Sequence, residues 1–387
     1  MNTRILLFII EAQFCGTSLW FAGNAVLPQL MVEYHWQTDS LGYLTTAVQL
    51  GFIVGTLLFA VLGITDRFSP SRVFFVCCLF GAAVSLAALF NLASFGWVLS
   101  TRFAVGFFLA GIYPVGMKIA VDWKKEGLGH WLGLLVGALV LGTAFPHLLR
   151  AFPVVEDVRF VFLTVAALAV FGGVIILFGV HDGPYRKRGA AFSFRAVMNT
   201  FRISAFRRPT LGYFGHMWEL YAFWAFVPFI IAHYSVNNTT LIHNSSMLAF
   251  FVIAAGAVSC WFGGSISRKY GSRNVALYSL VVSGACCCVS PFVFDISFPL
   301  FVVFLLIWGA AVVADSPQFS SLVSLSAPAE MRGSAITMVT CIGFSLTVVS
   351  IQLLNKFAQQ GMSDYLFLWL APGPILGVIG FAPRATK

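Results

Sequence analysis

Leu62-Gly63-Ile64-Thr65-Asp66-Arg67 and, 202 residues later, Gly264-Ser265-Ile266-Ser267-Arg268-Lys269 each close a long apolar run with a short polar tip. Two further landmarks keep nearly the same spacing: Pro114 and Pro317 are 203 apart, and Trp20 and Trp224 are 204 apart. Self-similarity at one offset is the mark of a duplicated architecture. The chain therefore reads as two parallel copies of one unit, which rocking-bundle carriers use and which channels and receptors do not usually need.

The unit is built from membrane-spanning helices. Apolar residues make up 59% of the 387 and charged residues only 10%, where a soluble domain carries roughly 25%. Lipid solvates such a chain because it asks for no polar surface. A helix crosses the hydrocarbon with about 20 apolar residues. Twelve runs qualify, near 5–30, 40–63, 73–93, 97–121, 130–152, 158–180, 210–233, 247–265, 275–294, 299–322, 334–357 and 365–382. None alternates as a barrel strand does. Arg4 ahead of the first run resembles a signal peptide, but the run continues to Leu30 with no small-residue cleavage site and is read as a span.

Charge sets the orientation. With the N-terminus inside, 18 of the 23 lysines and arginines fall in cytoplasmic segments, including Lys124, Lys125, Arg332, Arg384 and Lys387. Only Arg150, Arg159 and Lys356 lie outside. The net charge of +9 sits in short clusters between apolar runs, such as Arg186, Lys187 and Arg188, so nucleic acid is not an expected partner. The longest basic loop separates a six-helix bundle over 1–180 from another over 210–387, with a cytoplasmic linker over 181–209. The expected fold is an all-α integral membrane protein with twelve transmembrane helices in two pseudo-symmetric bundles. Its expected setting is a bacterial inner membrane, as a monomer with both termini cytoplasmic. The sequons at Asn237, Asn238 and Asn244 would matter only in a eukaryote. All eight cysteines fall within apolar stretches without a CxxC, so neither a disulfide framework nor a zinc site is expected.

With the repeat and these motifs in place, the chain resembles the major facilitator superfamily over essentially its whole length. That family's second-to-third-helix loop reads G-x-x-x-D-R-x-G-R/K. The second copy here supplies Gly264, Arg268, Lys269, Gly271 and Arg273, with Arg268 at the acidic position. The first supplies Asp66, Arg67 and Arg72, with Leu62 and Ser69 at the glycine positions. The resemblance implies that these residues latch the cytoplasmic helix ends and stay away from substrate. Arg102-Phe103-Ala104-Val105-Gly106 is similar to the family's fourth-helix motif R-x-x-x-G. The antiporter Gly-Pro pair and the nitrate-carrier signature are missing. Gly215 to Tyr221 and Ala314 to Gln318 resemble a bacterial subgroup. The implied activity is secondary active transport by alternating access, with the first, fourth, seventh and tenth helices lining a central cavity.

Those four helices carry Glu11, Arg102, His216, Glu219 and Asp315. A charge at mid-membrane costs at least about 2.5–3.5 kcal/mol, so each needs a reason. His216 and Glu219 share a face of the seventh helix. Glu11, His216, Glu219 and Asp315 all fall at a similar depth, and crowded carboxylates in low dielectric share protons rather than all ionise. They are the expected proton-coupling residues, with the proton as coupling ion and no other cofactor. Static pairs such as Glu219 with Arg102 are the structural alternative. On the first helix Gln13, Thr17, Trp20 and Asn24 form a polar stripe almost opposite Glu11. That stripe, with Arg102, Tyr113, Trp308 and Gln318, is the expected substrate cavity. Pro114 and Pro317 each remove a helical hydrogen bond at equivalent places and are expected gating breaks. Lys118 is expected to snorkel, and His147 with Arg150 to make a polar contact near the outer end of the fifth span.

The expected cargo is a small organic solute. Rivals are divalent-metal transport, for which His216, Glu219, Glu11 and Asp315 would be ligands, siderophore or drug export, a membrane enzyme, and a receptor. Against an enzyme, no serine elbow, HExxH or ATP-binding loop is present.

Overall fold

The computed structural model describes residues 3–123, 128–152, 157–186, 192–239, 242, 244–328, 330–361 and 364–382. Lys124, Lys125, Lys187, Arg188, Arg384 and Lys387 lie outside the described residues. Among those described every regular element is helical, as lipid demands of a chain that must satisfy its own backbone polar groups.

In the first half, α1 (Thr3–Thr17) and α2 (Ala22–Tyr34) make one crossing and α3 (Ser40–Val61) the next, followed by the one-turn α4 (Ile64–Arg67). After α5 (Pro70–Ala87), the fourth crossing is α6 (Phe95–Leu109) with α7 (Tyr113–Trp123). Two more follow, α8 (Leu128–Arg150) and α9 (Val158–Gly179). The short α10 (Phe194–Thr200) lies in the connection. The second half repeats the order with α11 (Ser204–Asn237), α12 (Ser245–Tyr270) and α13 (Ser272–Val289). Its fourth crossing is α14 (Phe298–Ala314) with α15 (Ser316–Ser326), followed by α16 (Arg332–Gln359). A 3-10 segment, Leu366–Leu370, then leads into α17 (Pro372–Phe381). Eleven crossings are long and apolar enough to span, and Leu366–Phe381 is a shorter twelfth.

Among the described residues three of the eleven long crossings are interrupted. The fourth breaks over 110–112, where Gly111 and Ile112 donate to the carbonyls of Phe108 and Leu109 in tight i to i−3 bonds. The tenth breaks at Asp315. Pro114 and Pro317 each follow the break as the second residue of the next helix, where a missing N–H does least harm. The first crossing also breaks, over 18–21, although it has no proline there. Its counterpart in the repeat, α11, runs unbroken through 34 residues.

The duplication is visible in the packing. A Cβ on Gly106 would fall on the carbonyl oxygen of Val48, and one on Gly309 would fall on that of Val252. The two glycines are 203 apart and the two valines 204 apart. Each half therefore brings two backbones into contact at the same place. Gly106→Val or Gly309→Val is expected to cost about 1–3 kcal/mol through overpacking. Gly96, which has open space around it, should tolerate alanine. Thermal unfolding in detergent checks both.

The halves meet through α8 on α12 and α3 on α16. At the end away from the basic loops, Gln352 Nε2 donates to Thr46 Oγ1 (2.7 Å) and Asn355 Nδ2 to the Asp39 carbonyl (3.1 Å). Asn244 Nδ2 donates to the Ala151 carbonyl at 2.6 Å. Further along, Phe52 packs on Phe344 with ring centroids 4.3 Å apart. Toward the basic end Ser265 Oγ lies 3.4 Å from His130 Nδ1.

Candidate functional site

The break in the first crossing explains Arg102. α6 brings this side chain, 1% exposed, against the interrupted turn. Nη1 and Nη2 each donate to the Leu19 carbonyl at 3.1 Å, and Nη2 also donates to the Trp20 carbonyl. Nε lies against Gly23, where a Cβ would come within 3.0 Å. Arg102 is thus a bracket holding two freed carbonyls rather than a lining residue, and it makes no pair with Glu219.

The polar stripe of the first crossing faces inward. Gln13, Thr17, Trp20 and Asn24 are 0–4% exposed. Gln13 lies against Gly116 of α7, and Thr17 lies against Gly142 of α8 while donating to the Gln13 carbonyl at 2.7 Å. Asn24 Nδ2 donates to Thr45 Oγ1 at 2.7 Å. Glu11, on the other face of α1, is exposed. It does not join the other acids, because the turn that buries the stripe carries Glu11 outward.

The remaining expected proton residues separate into two groups. His216 Nδ1 lies 2.8 Å from Asp315 Oδ1, with the two side chains 0% and 1% exposed. Tyr213 and Phe319 flank the imidazole at 6.0 and 6.3 Å between ring centroids. Glu219 Oε1 instead accepts from Trp308 Nε1 at 2.7 Å and from Cys287 Sγ at 3.3 Å. Trp308, packed on Phe223 at 4.5 Å, is therefore held inside the second half. Gln318 is fully buried near Gly263, and neither amide atom has a hydrogen-bond partner among the described residues. No group of three His, Cys, Asp or Glu that could hold a metal ion occurs among the described residues.

Between the halves lies an aromatic layer. Trp20 stacks on Tyr221 and Phe344 at 5.4 and 5.8 Å, both at 26° between planes, and touches Phe52 at 5.1 Å and Tyr113 at 6.4 Å. Phe52, Phe344 and the buried Gln49 are not among the residues expected from the sequence. They lie on the second and eleventh crossings, away from the four helices expected to line a cavity. A lone glutamine in an apolar run was the available signal for Gln49.

At the basic end, Lys118 Nζ meets Asp66 Oδ1 at 3.2 Å instead of reaching to the interface. Both side chains are about a quarter exposed, so the pair contributes roughly 0.2–1 kcal/mol. Arg186 pairs with Asp182 and donates through Nη2 to the Phe68 carbonyl at 2.9 Å. In the second copy Arg273 Nη2 donates to the Phe381 carbonyl at 2.9 Å. Arg67, Arg72, Arg268 and Lys269 are exposed, and Gly271 occupies a positive φ of 81° at the turn.

The chain shares its fold with the human organic anion transporter MFSD10 (TETRAN), at a TM-score of 0.77 and 14% identity over 98% of this chain and 99% of that one. No curated protein matches the sequence. The family model described as Major Facilitator Superfamily matches residues 11–350. Twelve helical crossings among the described residues, in two repeated halves joined across a buried aromatic and polar centre, are thus accounted for: the chain belongs to the major facilitator superfamily, a family of membrane transporters rather than enzymes.

Proposed function

We propose that the protein is a secondary active carrier that moves a small organic solute by alternating access across a bacterial inner membrane, coupled to protons through the His216–Asp315 pair. The observation that carries this reading is a carboxylate and an imidazole 2.8 Å apart, fully buried, at the point where α14 gives way to α15. Without an added proton the pair holds one net negative charge. With it, the pair is neutral overall, as imidazolium and carboxylate or as two neutral groups. An unbalanced charge inside the bilayer costs at least about 2.5–3.5 kcal/mol. The closed conformation therefore favours the protonated pair, and opening to water lets the proton leave. Proton and solute then bias one equilibrium between conformations.

Glu219, one turn along α11, is a second proton-holding group, and the exposed Glu11 has no part in the cycle. The basic end faces the cytoplasm by the positive-inside rule, and the carrier works as a monomer. Divalent-metal transport is disfavoured, since only two of its four supposed ligands meet.

The test uses protein in liposomes loaded with a pH-sensitive dye and a panel of carboxylates, amides, nucleosides, sugars and metal salts. A solute that moves should change the internal pH with wild type and leave it unchanged with Asp315→Asn. Solute uptake by wild type without any proton movement would overturn the coupling.

A further inference from the structure

The boundary between the halves holds polar atoms with nothing to bond. Trp20 Nε1, Trp224 Nε1 and both amide atoms of Gln49 are buried without a hydrogen-bond partner among the described residues. Gly42, Thr46, Gln49 and Ile53 recur at i, i+4, i+7 and i+11, one face of α3. Three of these four touch the second half. A Cβ on Gly42 would overlap Asn355, Thr46 accepts from Gln352, and the Ile53 carbonyl lies 3.9 Å from Cys341 Sγ. Gln49, 0% exposed, therefore points from the first half toward the second. Trp20 lies on the same boundary, stacked on Tyr221 and Phe344 of the other half. Buried donors and acceptors are costly to leave unpaired, so this set offers unmet hydrogen bonds to a molecule that enters between the halves.

Each charged group at the centre already touches another group, although Arg102 Nε, His216 Nε2 and Glu219 Oε2 have no hydrogen-bond partner among the described residues. Both terminal nitrogens of Arg102 hold backbone carbonyls and its Nε is covered by Gly23. His216 Nδ1 and Asp315 Oδ1 lie 2.8 Å apart, Glu219 Oε1 is held by Trp308 and Cys287, and Lys118, away at the basic end, pairs with Asp66. An anionic solute would shed its water here and find both terminal nitrogens of the one central guanidinium already holding backbone carbonyls.

Resting on the carrier reading above, we propose that the solute is a planar, uncharged, hydrogen-bonding heterocycle. It takes the place of Tyr221 and Phe344 against Trp20 as the halves part, while Gln49 and the two indole N–H groups pair with its ring nitrogens and carbonyls. Stacking lost between the halves is replaced by stacking on the solute. The amide can both donate and accept, which suits a heterocycle presenting both kinds of group.

Two matched pairs of probes test this on the purified full-length protein: nicotinamide against nicotinate, and adenosine against adenosine monophosphate. The neutral member should give a saturable rise in Tm, and its anion at equal concentration should not. Gln49→Leu should fold with an unchanged or higher Tm, because it removes an unpaired amide, and should weaken half-saturation by tenfold or more. Trp20→Phe keeps a ring but loses the N–H, and should weaken it less. A larger shift from the anions, wild-type binding by Gln49→Leu, or no shift from any of the four probes would overturn the proposal. Internal pH in liposomes separates it from the coupling mechanism. Proton movement evoked by the anions alone would sink the solute class and leave the carrier standing. Tm shifts by the neutral probes without proton movement would leave the solute class standing and overturn the coupling.

Discussion

Replacing Arg102 by methionine is expected to remove about 3 kcal/mol of stability, since hydrogen bonds to a charged group contribute roughly 1.5–3 kcal/mol each. The side chain makes three such bonds to the Leu19 and Trp20 carbonyls, which the break in the first crossing leaves without helical partners. Methionine fills similar volume but donates nothing, so two carbonyls are orphaned at about 1–3 kcal/mol apiece. Relief from burying a guanidinium without a carboxylate offsets part of that loss. Arg102→Lys should fall between the two, because one ammonium cannot reproduce the planar fork. Thermal unfolding in detergent reads the stability, and amide exchange over residues 18–23 reads the break. Wild-type stability in the methionine variant, with new protection at those amides, would mean that the crossing had rewound into one continuous helix.

Asp315→Asn is expected to flatten the dependence of stability on pH as well as to abolish solute-evoked proton movement. On the coupling proposed above, the closed pair carries one proton between its two members, whereas in an unfolded chain an ordinary imidazole, with a pKa of about 6.5, has lost most of its proton by neutral pH. The folded state then binds more protons than the unfolded one, so stability falls as pH rises above that value. In the asparagine variant His216 faces an amide, and neither of its forms leaves an unbalanced carboxylate. Wild-type Tm should therefore decline between pH 6.5 and 8.5 by more than that of the variant, over a panel of buffers of about equal ionic strength. Glu219→Gln provides the contrast. It keeps an oxygen able to accept from Trp308 and Cys287, leaves His216 beside Asp315, and should retain most of the wild-type slope. Parallel slopes for wild type and Asp315→Asn would show that the pair does not exchange a proton in this range.

Much of the architecture was legible in the chain because it rests on local chemistry. Twelve crossings follow from run length against bilayer thickness. The duplication follows from offsets such as Pro114 to Pro317, and the breaks beside those prolines follow from a missing N–H. Helical phase also placed Glu11 opposite Gln13, but could not say which of them faced inward. The tertiary structure decided the rest. Nothing in Ser18-Leu19-Trp20-Phe21 forbids a helix; the break there is held by Arg102, 82 residues further on. His216 and Glu219 share a helix face, yet one meets Asp315 and the other Trp308 and Cys287. Gln49 and Phe344 join the centre because of the way α3 lies along α16. Backbone hydrogen bonds in a helix close within four residues, so sequence can determine where helices form and where a proline stops them. Which buried side chains meet depends on how far each helix is turned and how closely it approaches its neighbours, and contacts spread over the whole chain settle that.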